Sequence, residues 1–134
     1  MTSSTRSRSG HAVSALCLLL GLVFIGAGIV KFIPIDFEVR NFAHFGYAPW
    51  FMTLIGVLEL GGGLMLLWPP SRLIGSLGLA VVMIGAAASH LRAGDGIAMA
   101  APALVFFGLL VLVAMASRRQ WRMLPILRPE RQPG

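Results

Sequence analysis

The feature that most constrains this chain is an acidic residue, Glu59, in the middle of the apolar stretch Trp50–Trp68. An α-helix needs about 20 apolar residues to cross a bilayer core of roughly 30 Å. An ionisable side chain at that depth is costly, and it usually faces protein or trapped water. Glu59 is therefore predicted to point into a bundle of helices and away from lipid.

Small residues cluster on the helical face that carries Glu59. Glycines occur three residues before it and three and four residues after it, and residues at that spacing are neighbours on a helix. Because small residues let membrane helices approach closely, this face is predicted to pack against another helix. The glycines that we expect to serve helix packing, in this stretch and in two other apolar stretches, are Gly28, Gly56, Gly62, Gly63 and Gly85.

Three further apolar stretches accompany this one, and the composition suits a membrane protein better than a soluble domain. The chain has 134 residues, of which 57% are hydrophobic and 12% are charged, and its mean hydropathy is +0.82. We therefore predict an all-α membrane protein, a four-transmembrane-helix bundle. The predicted organisation is a flexible basic tail at 1–11, a membrane domain at 12–117 with spans at about 12–32, 49–68, 73–91 and 97–116, and a basic tail at 118–134.

Basic residues are distributed unevenly between the two ends of the predicted bundle. Four spans place both termini on one side, together with the second loop. That side holds Arg6, Arg8, Arg72, Arg118, Arg119, Arg122, Arg128 and Arg131, whereas the first and third loops hold Lys31, Arg40 and Arg92. The positive-inside rule then predicts that both termini are cytoplasmic. Because topology accounts for the net charge of +6, no nucleic-acid partner is predicted. A cleaved signal peptide is a weaker interpretation, since the first apolar stretch exceeds a typical signal core.

Two segments of the chain resemble each other. Residues 23–31 read VFIGAGIVK and residues 82–90 read VMIGAAASH, so that Lys31 aligns with His90. The spans that follow both open with Ala-Pro. This pattern favours two repeated helix pairs, although short apolar matches also arise by chance. The second copy has no carboxylate in the place of Glu59, so any chemistry is expected to be asymmetric.

Polar residues of three spans are predicted to converge at the end opposite the termini. Side chains tilt toward the N-terminus of their helix, so Lys31 and His90 lean into the membrane, whereas Glu59 leans outward from a depth of about 15 Å. These groups and Arg92 are predicted to line an outward-facing polar pocket, and Asp95 is expected to shape a turn. The spacing leaves two alternatives open for Lys31 and Glu59, a direct contact and a water-bridged link. Lys31 as an interfacial snorkelling residue and His90 as a polar helix cap also remain open.

Several kinds of site are not supported by the sequence. One cysteine, Cys17, cannot form a disulfide or a CxxC redox pair within the chain. One carboxylate and one histidine at different depths make a poor metal site, so no metal is predicted. There is also no glycine-rich phosphate loop before a helix, and no pair of histidines is placed to ligate haem across the bundle.

Five segments together carry a resemblance to a known family. In order, they read GLVFIGAGIVKF, GYAPWF, LIGVLELGGGLMLL, SHLRAGD and AAPALVFFGLLVL. On these motifs the chain resembles the DoxX-like family of small bacterial membrane proteins. The resemblance implies a four-helix bundle in the bacterial inner membrane, with recurring polar positions at Lys31, Glu59 and His90. It also implies kinship with the small membrane subunits of a thiosulfate:quinone oxidoreductase, although this chain lacks the extramembrane cysteines that thiol chemistry would need.

The resemblance favours an accessory subunit of a membrane-associated, quinone-linked redox system over a stand-alone enzyme. Quinone is then the candidate cofactor, and a membrane redox protein is the candidate partner. In this hypothesis Glu59 handles protons, and Lys31 and His90 orient a quinone or an anionic ligand. One alternative is a non-catalytic protein that aids membrane assembly or stress tolerance, in which Lys31 and Glu59 lock helix packing. Another is a small-solute or proton carrier, which would need to be a homo-oligomer because four short helices enclose little volume.

Overall fold

Four long apolar helices make up most of the structure. The computed structural model describes residues 3–121, with side chains for residues 8–119 and for Trp121. The helices are α1 (Ser3–Val30), a short α2 (Asp36–His44), α3 (Pro49–Leu67), α4 (Arg72–Ala93) and α5 (Ile97–Trp121), with a single 3₁₀ turn (Pro69–Ser71) before α4. The long helices have the length and composition needed to cross a membrane. The prediction of an all-α membrane protein with four transmembrane helices is confirmed.

Proline and glycine set several of the helix boundaries. Pro49 occupies the first turn of α3, where a missing N–H costs nothing. Pro69 and Pro70 follow the end of α3, because proline cannot continue a helix. Gly94 ends α4 with a φ of 81°, and its N–H donates to the carbonyl oxygen of Leu91 at 3.2 Å. These stops keep the connections from α3 to α4 and from α4 to α5 short, so these consecutive helices run antiparallel.

The first helix begins earlier than the composition suggests. Residues 1–11 are predicted to form a flexible tail, but α1 begins at Ser3. No proline interrupts this segment, and extending an existing helix adds one hydrogen bond for each residue that is fixed. Of the predicted C-terminal tail, α5 includes the part up to Trp121. The remaining tail arginines, Arg122, Arg128 and Arg131, lie outside the described residues.

The long helices pack as two antiparallel pairs. The most extensive contacts join α4 to α5 and α1 to α3, and α3 also packs on α4, whereas α1 meets α5 only slightly. These pairs are the ones that two repeated units would form, and the duplication itself stays a prediction. We call the end with α2 and the α4–α5 turn the α2 end. The opposite end, which holds the start of α1 and the end of α5, is the terminal end.

The apolar residues divide between a narrow core and a broad outer surface. Core side chains from α1, α3, α4 and α5 include Leu20, Leu66, Leu79 and Leu110. Many large apolar side chains of the same helices remain exposed on the outside of the bundle. Membrane helices present such surfaces to hydrocarbon, because their backbone hydrogen bonds are already made within each helix. The environment of this surface is therefore a lipid bilayer.

Glycines bring α1 and α3 into backbone contact. A Cβ atom built on Gly28 would lie 2.6 Å from the backbone nitrogen of Leu60 and 2.8 Å from the carbonyl oxygen of Gly56. A Cβ atom on Gly63 would lie 2.9 Å from the carbonyl oxygen of Gly21. Carbon atoms do not approach backbone atoms so closely, so these positions accept no side chain unless the helices move apart.

The other two glycines with a predicted packing role differ from each other. Gly62 faces α4, where an added Cβ atom would lie 2.5 Å from Cγ of Leu79. An added Cβ atom on Gly85 would meet nothing within 4 Å. Gly85 is itself exposed, and it is two residues from each of Met83 and Ala87, which are buried in the bundle. That spacing turns it about 200° around the helix, away from the packed face.

A buried arginine connects three helices at the terminal end. Nε of Arg72, at the start of α4, donates to the carbonyl oxygen of Leu66 at 3.0 Å. Its Nη1 donates to Oγ of Ser14 on α1 at 3.3 Å. Trp121 adds a second tie, since its Nε1 donates to the carbonyl oxygen of Pro70 at 3.1 Å. The sequence presents Arg72 only as a topology signal, but its side chain also cross-links the bundle.

Candidate functional site

An ion pair joins α1 to α3 inside the bundle. Nζ of Lys31 lies 2.8 Å from Oε2 of Glu59, and the two residues are only 8% and 5% exposed. At this distance the ammonium of Lys31 and the carboxylate of Glu59 form a charge-assisted contact through Oε2. Of the two alternatives that the sequence leaves open, the structure shows the direct contact.

The close crossing of α1 and α3 explains how two residues at different depths meet. Lys31 follows the last residue of α1, and its N–H donates to the carbonyl oxygen of Gly28 at 3.1 Å. A Cβ atom on Gly56 would lie 2.9 Å from Cβ of Lys31, so the missing side chain leaves room for the lysine stem. The stem then reaches Glu59, which lies three residues, or about 4.5 Å, farther along α3.

A second carboxylate approaches Lys31 from α2. Oε2 of Glu38 lies 3.9 Å from Nζ of Lys31, and the Glu38 side chain is partly exposed. Lys31 thus lies between a buried carboxylate and one near the surface at the α2 end. We call Lys31, Glu38 and Glu59 the Lys31 cluster. It carries one net negative charge when all three groups are ionised, and one added proton makes it neutral.

A separate cluster surrounds Asp95, in the turn between α4 and α5. Oδ1 of Asp95 accepts a hydrogen bond from Nε2 of His44 at 2.8 Å, and Oδ2 accepts one from Nδ1 of His90 at 2.8 Å. These hydrogen bonds, chiefly the one from His90, lower the pKa of Asp95 below its ordinary value. We call these three residues the Asp95 clasp, because they tie the end of α2 to the end of α4.

The loop after α2 is held on α4 by further contacts. Nη2 of Arg92 donates to the carbonyl oxygen of Phe45 at 2.9 Å, and its guanidinium lies 5.3 Å from the centre of the Tyr47 ring. The Tyr47 hydroxyl lies 2.7 Å from Oγ of Ser89. The Ser89 hydroxyl itself donates to the carbonyl oxygen of Gly85, so Tyr47 is the donor in that pair. The loop and the clasp therefore position α2, and with it Glu38.

The structure separates the residues of the predicted pocket into two groups. Lys31 and Glu59 contact each other, whereas the contacts of His90 and Arg92 in the described chain are with Asp95 and with the loop after α2. His90 is five residues from Asp95 along the chain. The His90 ring therefore forms its hydrogen bond with the nearby carboxylate of Asp95 and does not extend into the bundle interior.

Sequence reasoning missed the roles of Glu38 and His44. A local signal was present, because Asp36 and Glu38 fall in the first turn of α2 and His44 falls in its last turn. Acidic residues at a helix start and basic residues at its end complement the helix dipole. In residues 3–121, no three His, Cys, Asp or Glu side chains are grouped as metal ligands.

Comparison with known proteins places the chain in a family. The family model described as the DoxX-like family matches residues 15–115, which include both clusters. An uncharacterized protein of Bacillus subtilis (strain 168), YdgD, is 32% identical over 103 residues, covering 73% of this chain and 90% of that protein. The four apolar helices fit the same assignment. The chain therefore belongs to the DoxX-like family and is an integral membrane protein.

Proposed function

We propose that this protein is an accessory subunit of a membrane-associated, quinone-linked redox system, in which Glu59 exchanges a proton through the Lys31 cluster. The observation that supports this proposal is the direct contact, inside a membrane bundle, between Nζ of Lys31 and Oε2 of Glu59 at 2.8 Å. Glu38 lies 3.9 Å from the same ammonium, on the side of the α2 end. A carboxylate in this position is a typical place for proton handling.

The charge balance of the cluster favours proton exchange over permanent ionisation. With one proton on the two carboxylates, the single positive charge of Lys31 leaves the cluster neutral. The proton then resides on Glu59 or on Glu38, and Lys31 compensates the carboxylate that remains ionised. Neither arrangement leaves a net charge in the bundle, where an uncompensated charge would be costly. Glu38 would release or collect the proton at the α2 end.

The carboxylate of Glu59 is also suited to accept a hydrogen bond from a ligand. An ionised carboxylate has about four acceptor positions on its two oxygens, so Glu59 can accept a further donor beside the contact of its Oε2 with Lys31. A quinol, when bound, supplies hydroxyl protons together with electrons for a redox partner. The Glu59 carboxylate would accept a hydrogen bond and then a proton, and Lys31, through its contact with Oε2, would hold the carboxylate in place.

The distribution of arginines supports one orientation for this exchange. Arg8, Arg72, Arg118 and Arg119 lie at the terminal end, and the positive-inside rule places that end in the cytoplasm. In the inner membrane of a bacterium, the α2 end and Glu38 would then face outward. Protons that pass through the Lys31 cluster would exchange with the outer side of the membrane.

The test compares Glu59→Gln with the double variant Lys31→Met/Glu59→Leu. Both variants are expressed in a strain that lacks the gene, and quinol-dependent oxygen uptake is measured in membrane vesicles. We expect both to lose the uptake that the wild-type chain restores, since neither can carry the proton at residue 59. A double variant that restores uptake to the wild-type level would overturn the proposal.

One observation favours a second candidate, a non-catalytic protein that aids membrane assembly. The ion pair lies at a crossing where α1 and α3 are in backbone contact, so it is placed to hold the two helices in register. Apolar residues often replace a buried ion pair without loss of stability. For this candidate, the double variant would therefore keep both its thermal stability in detergent and its effect on the partner, and the purified wild-type protein would retain no quinone.

A further inference from the structure

A groove on the lipid-facing side of the bundle runs between α4 and α5 near the terminal end. Its volume is about 390 Å³, and its lining includes Leu77 and Ala80 of α4, Ala114 and Met115 of α5, and Arg118. Ala80 and Ala114 are only 6% and 8% exposed. Because these small residues are buried whereas Leu77 and Met115 are exposed, the alanines form the floor and the longer side chains the walls of an apolar groove with one cation in its lining.

The terminal end around this groove has only positive charges in the part of the chain that the structure describes. Arg118 belongs to the last turn of α5, which the bond from Trp121 to the carbonyl oxygen of Pro70 fixes against the turn before α4. Residues 3–121 contain four carboxylates. They are Asp36, Glu38 and Asp95, at the α2 end, and Glu59, in the middle of α3.

We propose that this groove binds one anionic phospholipid, with an acyl chain along the alanine floor and the phosphate at Arg118. The acyl chain would cover apolar surface that otherwise packs loosely against the membrane. The planar guanidinium of Arg118 matches the geometry of a phosphate with two parallel hydrogen bonds. Arginines near a membrane surface attract anionic headgroups. This proposal does not depend on the Lys31 cluster or on any redox role.

A second copy of the chain fits the groove less well than a lipid does. Two membrane subunits packed face to face are related by an axis along the membrane normal, so each brings its own Arg118 to the same depth. Like charges placed side by side oppose association. With a phospholipid the interaction at Arg118 is attractive, because the phosphate supplies the negative charge that the groove lacks.

The test uses native mass spectrometry of protein released from phosphatidylcholine vesicles that contain a minor fraction of phosphatidylglycerol. The first pair of variants is Arg118→Gln and Arg119→Gln, since Arg119 is an exposed neighbour outside the groove. We expect Arg118→Gln to weaken retention of phosphatidylglycerol about fivefold, the loss that corresponds to one arginine near the surface. Arg119→Gln should weaken it much less.

The second pair tests the apolar part of the site. Ala114→Phe fills the floor, whereas Leu112→Phe places the same aromatic side chain on the exposed face of the same helix. We expect Ala114→Phe to abolish specific retention and Leu112→Phe to leave it unchanged. If Ala114→Phe does not fold, the arginine pair alone decides. Equal retention by the two arginine variants would overturn the proposal, and so would a wild-type dimer that carries no lipid and that Arg118→Gln strengthens.

Discussion

The interaction of Lys31 with two carboxylates raises the question of why this bundle contains buried charged residues. Burying an ion pair removes both charges from water, and their mutual attraction does not reliably compensate for that loss. Stability alone therefore gives no reason to prefer Lys31 and Glu59 over two apolar residues. Their short contact, next to the partly exposed Glu38, is the arrangement that the proposed proton exchange at Glu59 requires.

At Asp95, we predict that Asp95→Asn loosens α2. An asparagine side chain is uncharged and has an NH2 donor in place of one oxygen, so one of the two histidines loses the acceptor that it contacts in the wild type. Backbone amides of residues 36–47 should then exchange hydrogen faster in the variant. Asp36→Asn is the matched control, because the side chain of Asp36 is 88% exposed and its ion pair in the described part of the chain is with Arg40 at 3.5 Å. Equal exchange in the two variants would show that the Asp95 clasp does not hold α2.

The lowered pKa of Asp95 gives the clasp a definite pH dependence. A carboxyl whose pKa is lower in the folded protein contributes stability above its ordinary pKa, and loses that contribution as the pH falls through the lowered value. We expect the wild-type chain to protect α2 better than Asp95→Asn down to about pH 4, the ordinary range of an aspartate, and the difference to vanish in more acidic solution. Hydrogen exchange of both proteins across this range measures it. A difference that disappears near neutral pH would contradict the assignment.

For single residues, the sequence predicts which side chains are unusual for their surroundings, but it does not predict which side chains they contact in the fold. The position of Glu59 in an apolar stretch is a local property, and so is the density of glycine around it. The contact between His44 and Asp95 joins residues 51 positions apart. It depends on how α2 lies across the bundle, and no spacing rule in the sequence reports that.

Among the elements, the crossing of α1 and α3 depends on the absence of side chains. We predict that Gly28→Ala destabilises the protein by about 1–3 kcal/mol, the usual cost of overpacking, because its methyl group would meet the backbone of α3. Gly26→Ala is the control on the same helix, since a Cβ atom there meets nothing within 4 Å. Thermal unfolding in detergent compares the two. A Gly28→Ala protein as stable as Gly26→Ala would mean that the helices do not touch at this point.

The short helix α2 was harder to predict than the four spans. Each span is a long apolar stretch, and length with hydropathy is enough to recognise it. α2 has nine residues, none of them buried, and it lies in a loop where charged and aromatic residues alternate. Its sequence signals are the charges at its two ends, and these do not reveal that Glu38 approaches Lys31.

For the whole molecule, the arginine distribution predicts a single orientation in the membrane. In a Cys17→Ala background, we predict that Arg40→Cys reacts with a membrane-impermeant maleimide in intact cells, whereas Arg119→Cys reacts only after the membrane is opened. Arg40 lies on α2 with an exposed side chain, and Arg119 is exposed at the terminal end. The reverse pattern of labelling would show that the termini face outward and that the Lys31 cluster opens to the cytoplasm.

The most direct test is a double-mutant thermodynamic cycle on Lys31 and Glu59, the ion pair that connects α1 to α3. Thermal or denaturant unfolding in detergent is measured for wild type, Lys31→Met, Glu59→Leu and the double variant. We expect each single change to cost about 3–5 kcal/mol, because it leaves one buried charge without its partner, and the double variant to cost much less than the sum. Costs that simply add would contradict the account, since they would mean that Lys31 and Glu59 do not meet inside the bundle.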